Sequence, residues 1–130
     1  MQDRPTVDEL LDAVAAFLHG DVMPHTTGRL SFHARVAGNL LQMLRRELSG
    51  EEDHLEREWA GLNALLGERA HPQTLSGLRA AILERNEELC RRIHDGEADQ
   101  GAMRTAVLSH LREVLRSTLS VSDPGLLAQG

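Results

Sequence analysis

Residues 32–40 of this chain, Phe-His-Ala-Arg-Val-Ala-Gly-Asn-Leu, set His33, Arg35 and Asn39 among apolar neighbours at helical spacing. Burying such groups is costly unless a partner satisfies them, so polar residues on an apolar helix face imply either an internal network or a binding site. Arg35 and Asn39 are four residues apart and stack on one face of a helix. His33 is turned about 200° from Arg35 and faces elsewhere. Two later residues join this group. Asn86 interrupts the Ile82, Leu89, Ile93 stripe, and His110 neighbours Leu111. A hydrogen bond between Asn39 and Asn86 would fix the register of two helices, as buried asparagine does in coiled coils. The other reading is an anion site, with Arg35 gripping a carboxylate or phosphate by its fork and His33 or His110 as acid or base.

Other chemistries find less footing. Glu51-x-x-His54 has the spacing of a di-iron helix, but such a site needs a second Glu-x-x-His helix and further inward glutamates. Of the remaining histidines only His71 has an acidic residue three positions before it, Glu68, and that pair falls in the loop expected over 68–73 rather than on a helix. No metal and no cofactor is expected. The single cysteine, Cys90, excludes an intrachain disulfide and sits where a small buried hydrophobe is expected. There is no Gly-x-Ser-x-Gly elbow and no phosphate-cradling glycine loop after a strand. Every basic residue is arginine, which removes Schiff-base chemistry and the phosphate-loop lysine. With no catalytic constellation in sight, the expectation leans away from an enzyme.

The elements that must carry these residues are helices. Hydrophobic residues make up 41% and charged residues 26%, while aromatics are only 2%. The core must therefore be aliphatic, and Leu and Ala, the commonest apolar residues, are strong helix formers. The 130 residues suit one domain. The net charge of −6 gives no case for binding a phosphate backbone. No apolar run is long enough for a membrane span, and the opening residues lack the pattern of a signal peptide. Cytoplasmic location is the expectation.

Apolar spacing and end signals predict helices over 6–19, 29–48, 51–66, 75–94 and 100–119, then an irregular tail over 120–130. Thr6 and Glu9 form a capping box, and Gly20, Gly50, Gly67 and Gly96 supply stops. Short connections favour antiparallel neighbours. The expected architecture is an all-α, single-domain bundle of about five antiparallel amphipathic helices covering 1–130.

Asp3-Arg4-Pro5-Thr6 before Glu9-Leu10-Leu11, then Phe32-His33-Ala34-Arg35-Val36-Ala37 with Asn39, Arg46-Glu47-Leu48, Asn86, His110-Leu111 and Asp123-Pro124 carry a resemblance. On these residues the chain resembles a bacterial family of short proteins described as a domain of unknown function. Family members tend to end in Asn-Pro-x-Tyr, where this chain has Asp123-Pro124-Gly125-Leu126. The resemblance implies genes lying beside an aminoglycoside-phosphotransferase-like kinase and an acyl-CoA dehydrogenase. It brings no catalytic residues with it. The function expected is a non-catalytic accessory module that binds such a kinase or dehydrogenase. The alternative is a binder of, or enzyme on, a small carboxylate, phosphate or acyl-CoA. A homodimer, built on leftover leucines or Trp59, is a further expectation.

Overall fold

Thr6 starts the first helix as the capping box requires. Its hydroxyl accepts from the Glu9 amide at 3.2 Å, and the Glu9 carboxylate accepts from the Thr6 amide at 2.8 Å. The computed structural model, which describes residues 3–130, is all-helical: α1 Val7–Phe17, a π-helical turn Leu18–Val22, α2 Gly28–Leu66, α3 Leu75–His94, α4 Gly101–Ser122 and a single turn, α5, Pro124–Leu127. Gly20 does not stop the first helix; it lies inside the π-helical turn with a negative φ. The carbonyls freed where that turn ends are met by side chains. Thr26 Oγ1 donates to Val22 and His25 Nδ1 to Asp21.

The helices expected over 29–48 and 51–66 are one. Gly50 keeps an ordinary helical φ, and the Ser49 hydroxyl turns back to the Arg46 carbonyl at 3.2 Å instead of capping a new helix. The end of the chain also differs from the expected irregular tail. Helix α4 runs on to Ser122, and Asp123 caps the short α5 through the Leu126 amide.

The chain divides into two compact units, Met1–Ser49 and Gly50–Gly130, whose boundary falls within α2 rather than in a linker. In the N-terminal unit α1 and the first part of α2 form an antiparallel hairpin. Arg45 reaches Asp8 and Asp12, Gln42 reaches Asp12, and Ser31 bonds the Met23 carbonyl, so partners descend along α2 as they rise along α1. The seam is made of small residues, with Ala15 and Ala34 buried.

The C-terminal unit holds the larger core: Trp59, Leu62, Leu78, Ile82, Leu89 and Val107. Burial of side chains this size contributes about 1.5–3 kcal/mol each. Trp59 is 5% exposed and so leaves no aromatic face for a dimer. Here the expected antiparallel order holds for one neighbour and fails for another. Arg79 bonds Glu51 and Asn86 bonds Glu58, both 28 residues apart along the chain, so α3 runs parallel to the last part of α2. Helix α4 is antiparallel to it, with Glu113 opposite Arg57 and His110 opposite Gly61. The parallel step is possible because residues 67–74 run back extended along α2. At about 3.3 Å per extended residue they cover some 26 Å, enough to retrace the roughly 22 Å that α2 climbs from Glu51 to Leu66 at about 1.5 Å per residue.

His71 fastens that return. Its Nδ1 faces the Pro72 carbonyl at 2.7 Å and its Nε2 faces both Glu56 carboxylate oxygens at 2.9 Å. Both ring nitrogens must donate, which the imidazolium alone can do. Its pKa is accordingly raised, first by the Glu56 hydrogen bond and then by the Pro72 carbonyl.

Candidate functional site

The five residues that spacing singles out fall on both units. In the N-terminal unit His33, Arg35 and Asn39 are all exposed. Arg29 Nε donates to His33 Nε2 at 3.2 Å, and the Arg35 guanidinium lies over the Phe32 ring, 5.5 Å from its centroid. Arg35 also edges a shallow hollow of about 230 Å³ with Met23, Gly28, Ser31 and Phe32; no histidine lines it. The Arg35 backbone carbonyl takes a long hydrogen bond, 3.4 Å, from His19 Nε2. That ring presses on Gly38, where an added Cβ would overlap it. Helix glycine costs roughly 1 kcal/mol against alanine; Gly38 is explained by this close approach.

In the C-terminal unit the remaining two residues meet around a third that the spacing does not reveal. The amide of Asn86, expected to bond Asn39, instead donates to Glu58 Oε1 at 2.8 Å. His110 lies close enough to Glu58 to feel its charge. Its imidazole sits on α2 at Gly61, where a Cβ would again overlap the ring. Burial lowers the His110 pKa, and Glu58 opposes that only in part. The group is therefore a neutral imidazole at pH 7, able to donate at one nitrogen and accept at the other.

His110 also borders an open groove of about 600 Å³ between α2 and α4, floored by Gly61, Ala64, Leu65 and Ala106 and rimmed by Arg57, Arg112, Arg116 and Glu113. None of these arginines is prominent in sequence, because a helical surface arginine resembles any other. What would have exposed the groove is Gly61, a helix-interior glycine whose only use is to let another group approach.

The polar side chains that the core holds are others. Asn63 is 8% exposed and Arg85 2%. Arg85 Nη2 donates to the Leu62 carbonyl, Asn63 Oδ1 and the Gly67 carbonyl. Its Nη1 is 3.5 Å from Glu88, a carboxylate also shared with Arg69 and Arg92. The guanidinium thus ties α3 to the last turn of α2 and to Gly67 just beyond it. Cys90, expected among the buried hydrophobes, is exposed. Among the described residues no group of three His, Cys, Asp or Glu side chains is placed to hold a metal ion. Glu51, of the Glu-x-x-His pair, is committed to Arg79. No helix among the described residues is long and apolar enough to cross a membrane.

The model of a family described as Domain of unknown function (DUF6285) matches residues 24–126, well over half of the chain. The chain belongs to the DUF6285 family. The DUF6285 match takes in the 32–39 motif, Asn86, His110 and the whole lining of the groove; the Asp3–Thr6 opening and α1 precede it. No curated protein and no solved structure matches this chain.

Proposed function

We propose that this chain is a non-catalytic protein-binding module, and that the apolar flank of its N-terminal hairpin takes an amphipathic helix of an enzyme partner. The observation that carries this reading is the exposure of α1. Val7, Leu10, Val14 and Phe17 recur at helical spacing, yet each is 49–62% exposed. Leu44 and Leu48, on the antiparallel stretch of α2, are exposed as well. Val7, Leu11 and Leu48 line a common hollow of about 420 Å³, which puts the two stripes on one flank of the hairpin. The exposed apolar area is on the order of 500 Å², at the upper end of what a monomer leaves in one patch. Two helices side by side form a groove that a third, amphipathic helix fills by its own apolar face.

The partner class follows from the family resemblance, which implies a phosphotransferase-like kinase or an acyl-CoA dehydrogenase encoded nearby. The alternative of an anion held by Arg35 and a histidine has less support, since Arg35 lies on Phe32 and no histidine shares its hollow.

The test is co-purification of the full chain with each neighbouring enzyme. Val14→Asp and Leu44→Asp replace exposed side chains and are expected to leave helicity and melting nearly unchanged, within about 0.5 kcal/mol, while abolishing retention. If neither enzyme is retained and enzyme activity is indifferent to the chain, the reading fails. If light scattering instead finds a dimer that these substitutions dissociate, a second copy occupies the flank and the enzyme partner is wrong.

A further inference from the structure

We propose that the groove between α2 and α4 binds a small organic phosphate, its oxygens held by Arg112 and Arg116 and its carbon body laid on Gly61, Ala64 and Ala106. The charge is out of keeping with the molecule. In a chain of net charge −6 the groove collects three guanidinium groups against one carboxylate. Glu113 is 3.9 Å from Arg57 and 4.0 Å from Arg116, too far for a good hydrogen bond to either. Arg112 has no ion pair among the described residues. The rim thus keeps a surplus of about two positive charges, which a phosphate monoester matches with about −1.5 to −2 at pH 7. Planar guanidinium forks suit phosphate oxygens in pairs.

The floor is as specific as the rim. Gly61, Ala64 and Ala106 keep it low and apolar, so a short alkyl body lies flat where larger side chains would fill the space. The volume, about 600 Å³, falls in the range of small-molecule sites, roughly 300–1,000 Å³. His110 closes one side, and the charged groups facing it are Glu58 and Arg57 on α2 with Arg112 and Glu113 on its own helix. An anion arriving here favours the imidazolium, so binding takes up a proton.

The full chain is titrated with n-butyl phosphate at constant ionic strength by calorimetry, with n-butanol and sodium chloride as controls and the His110 ring signals followed by NMR. Saturable binding is expected, with His110 moving toward its protonated shifts. Arg112→Gln with Arg116→Gln, both at the exposed rim, is expected to weaken binding by about tenfold or more with melting unchanged. Gly61→Ala, which displaces the imidazole, is expected to remove the His110 response. Failure to saturate, equal response to n-butanol, or unaltered affinity in the double glutamine variant overturns the proposal. So does an acidic helical peptide that outcompetes the phosphate, since the groove would then be a protein-binding surface.

Discussion

Arg85, one residue away from the asparagine that the spacing singles out, is with Asn63 a polar side chain that the core encloses. Along α3 the steps Leu78, Ile82, Arg85, Leu89 are four, three and four, the rhythm of a single buried face. Asn86 lies just off that face and meets Glu58 at its edge. The rhythm is legible in sequence; that an arginine fills one of its beats is not, because arginine at such a position ordinarily breaks the stripe. Its burial makes sense only with the end of α2 in place, where its Nη2 meets the Leu62 and Gly67 carbonyls. Arg85→Met keeps the apolar stem but leaves those carbonyls, Asn63 and Glu88 without it. Urea denaturation is expected to show a loss of about 3 kcal/mol, the scale for breaking one side of a buried charged pair. Arg85→Lys keeps the charge without the fork and is expected to fall between that variant and the wild type.

At the scale of elements, glycine is where sequence and structure part company. Four glycines read equally well as helix stops, but only Gly67 and Gly96 adopt the positive φ that a left-handed cap requires, 96° and 88°. Gly20 and Gly50 stay right-handed and the helix passes through them. No local pattern separates the two classes, since acidic residues after Gly50 look the same at a helix start and on a solvated helix face. Where the cap chemistry is complete, boundaries were legible: Thr74 caps α3 through the Gly77 amide, and the helix spans 75–94 as the spacing predicts. The parallel order of α2 and α3 was not legible, because it depends on residues 67–74 being extended rather than turned. Gly50→Ala offers a direct check. A continuous helix gains about 0.5–1 kcal/mol from the substitution once the half-buried His54 ring, 3.1 Å from the new Cβ, turns aside, whereas a left-handed cap would lose a similar amount. A rise in the thermal midpoint is expected for Gly50→Ala, and a fall for Gly67→Ala at its positive φ.

Taken as a whole, the molecule joins two units with very different interiors. The N-terminal hairpin closes on Ala15 and Ala34 and is tied at its open end by Arg45 to Asp8 and Asp12. The C-terminal unit closes on Trp59 and five aliphatic side chains. Local stability follows buried apolar contact, so amide exchange is expected to be faster in α1 than in α3. The two units also answer pH in opposite senses. Asp8 is held below the usual carboxylate range, first by its hydrogen bond to Arg45. Its contribution is therefore present above the unfolded value, about 3.9, and is lost as pH falls through the lower folded value. His71 is raised above its ordinary value by Glu56, so its contribution is complete below about 6.5 and disappears as pH climbs through the higher folded value. Acid is expected to speed exchange, corrected for its intrinsic pH dependence, in α1 before α3. Mild alkali is expected to loosen residues 67–74 alone. Trp59, edge-on to His71 with ring centroids 6.2 Å apart, reports the second event without a label. Its fluorescence is expected to titrate with a midpoint above 6.5, a step that His71→Gln removes. A midpoint at or below that value would show that Glu56 does not hold the imidazolium and that the return along α2 is fastened by Arg69 and Glu88 instead.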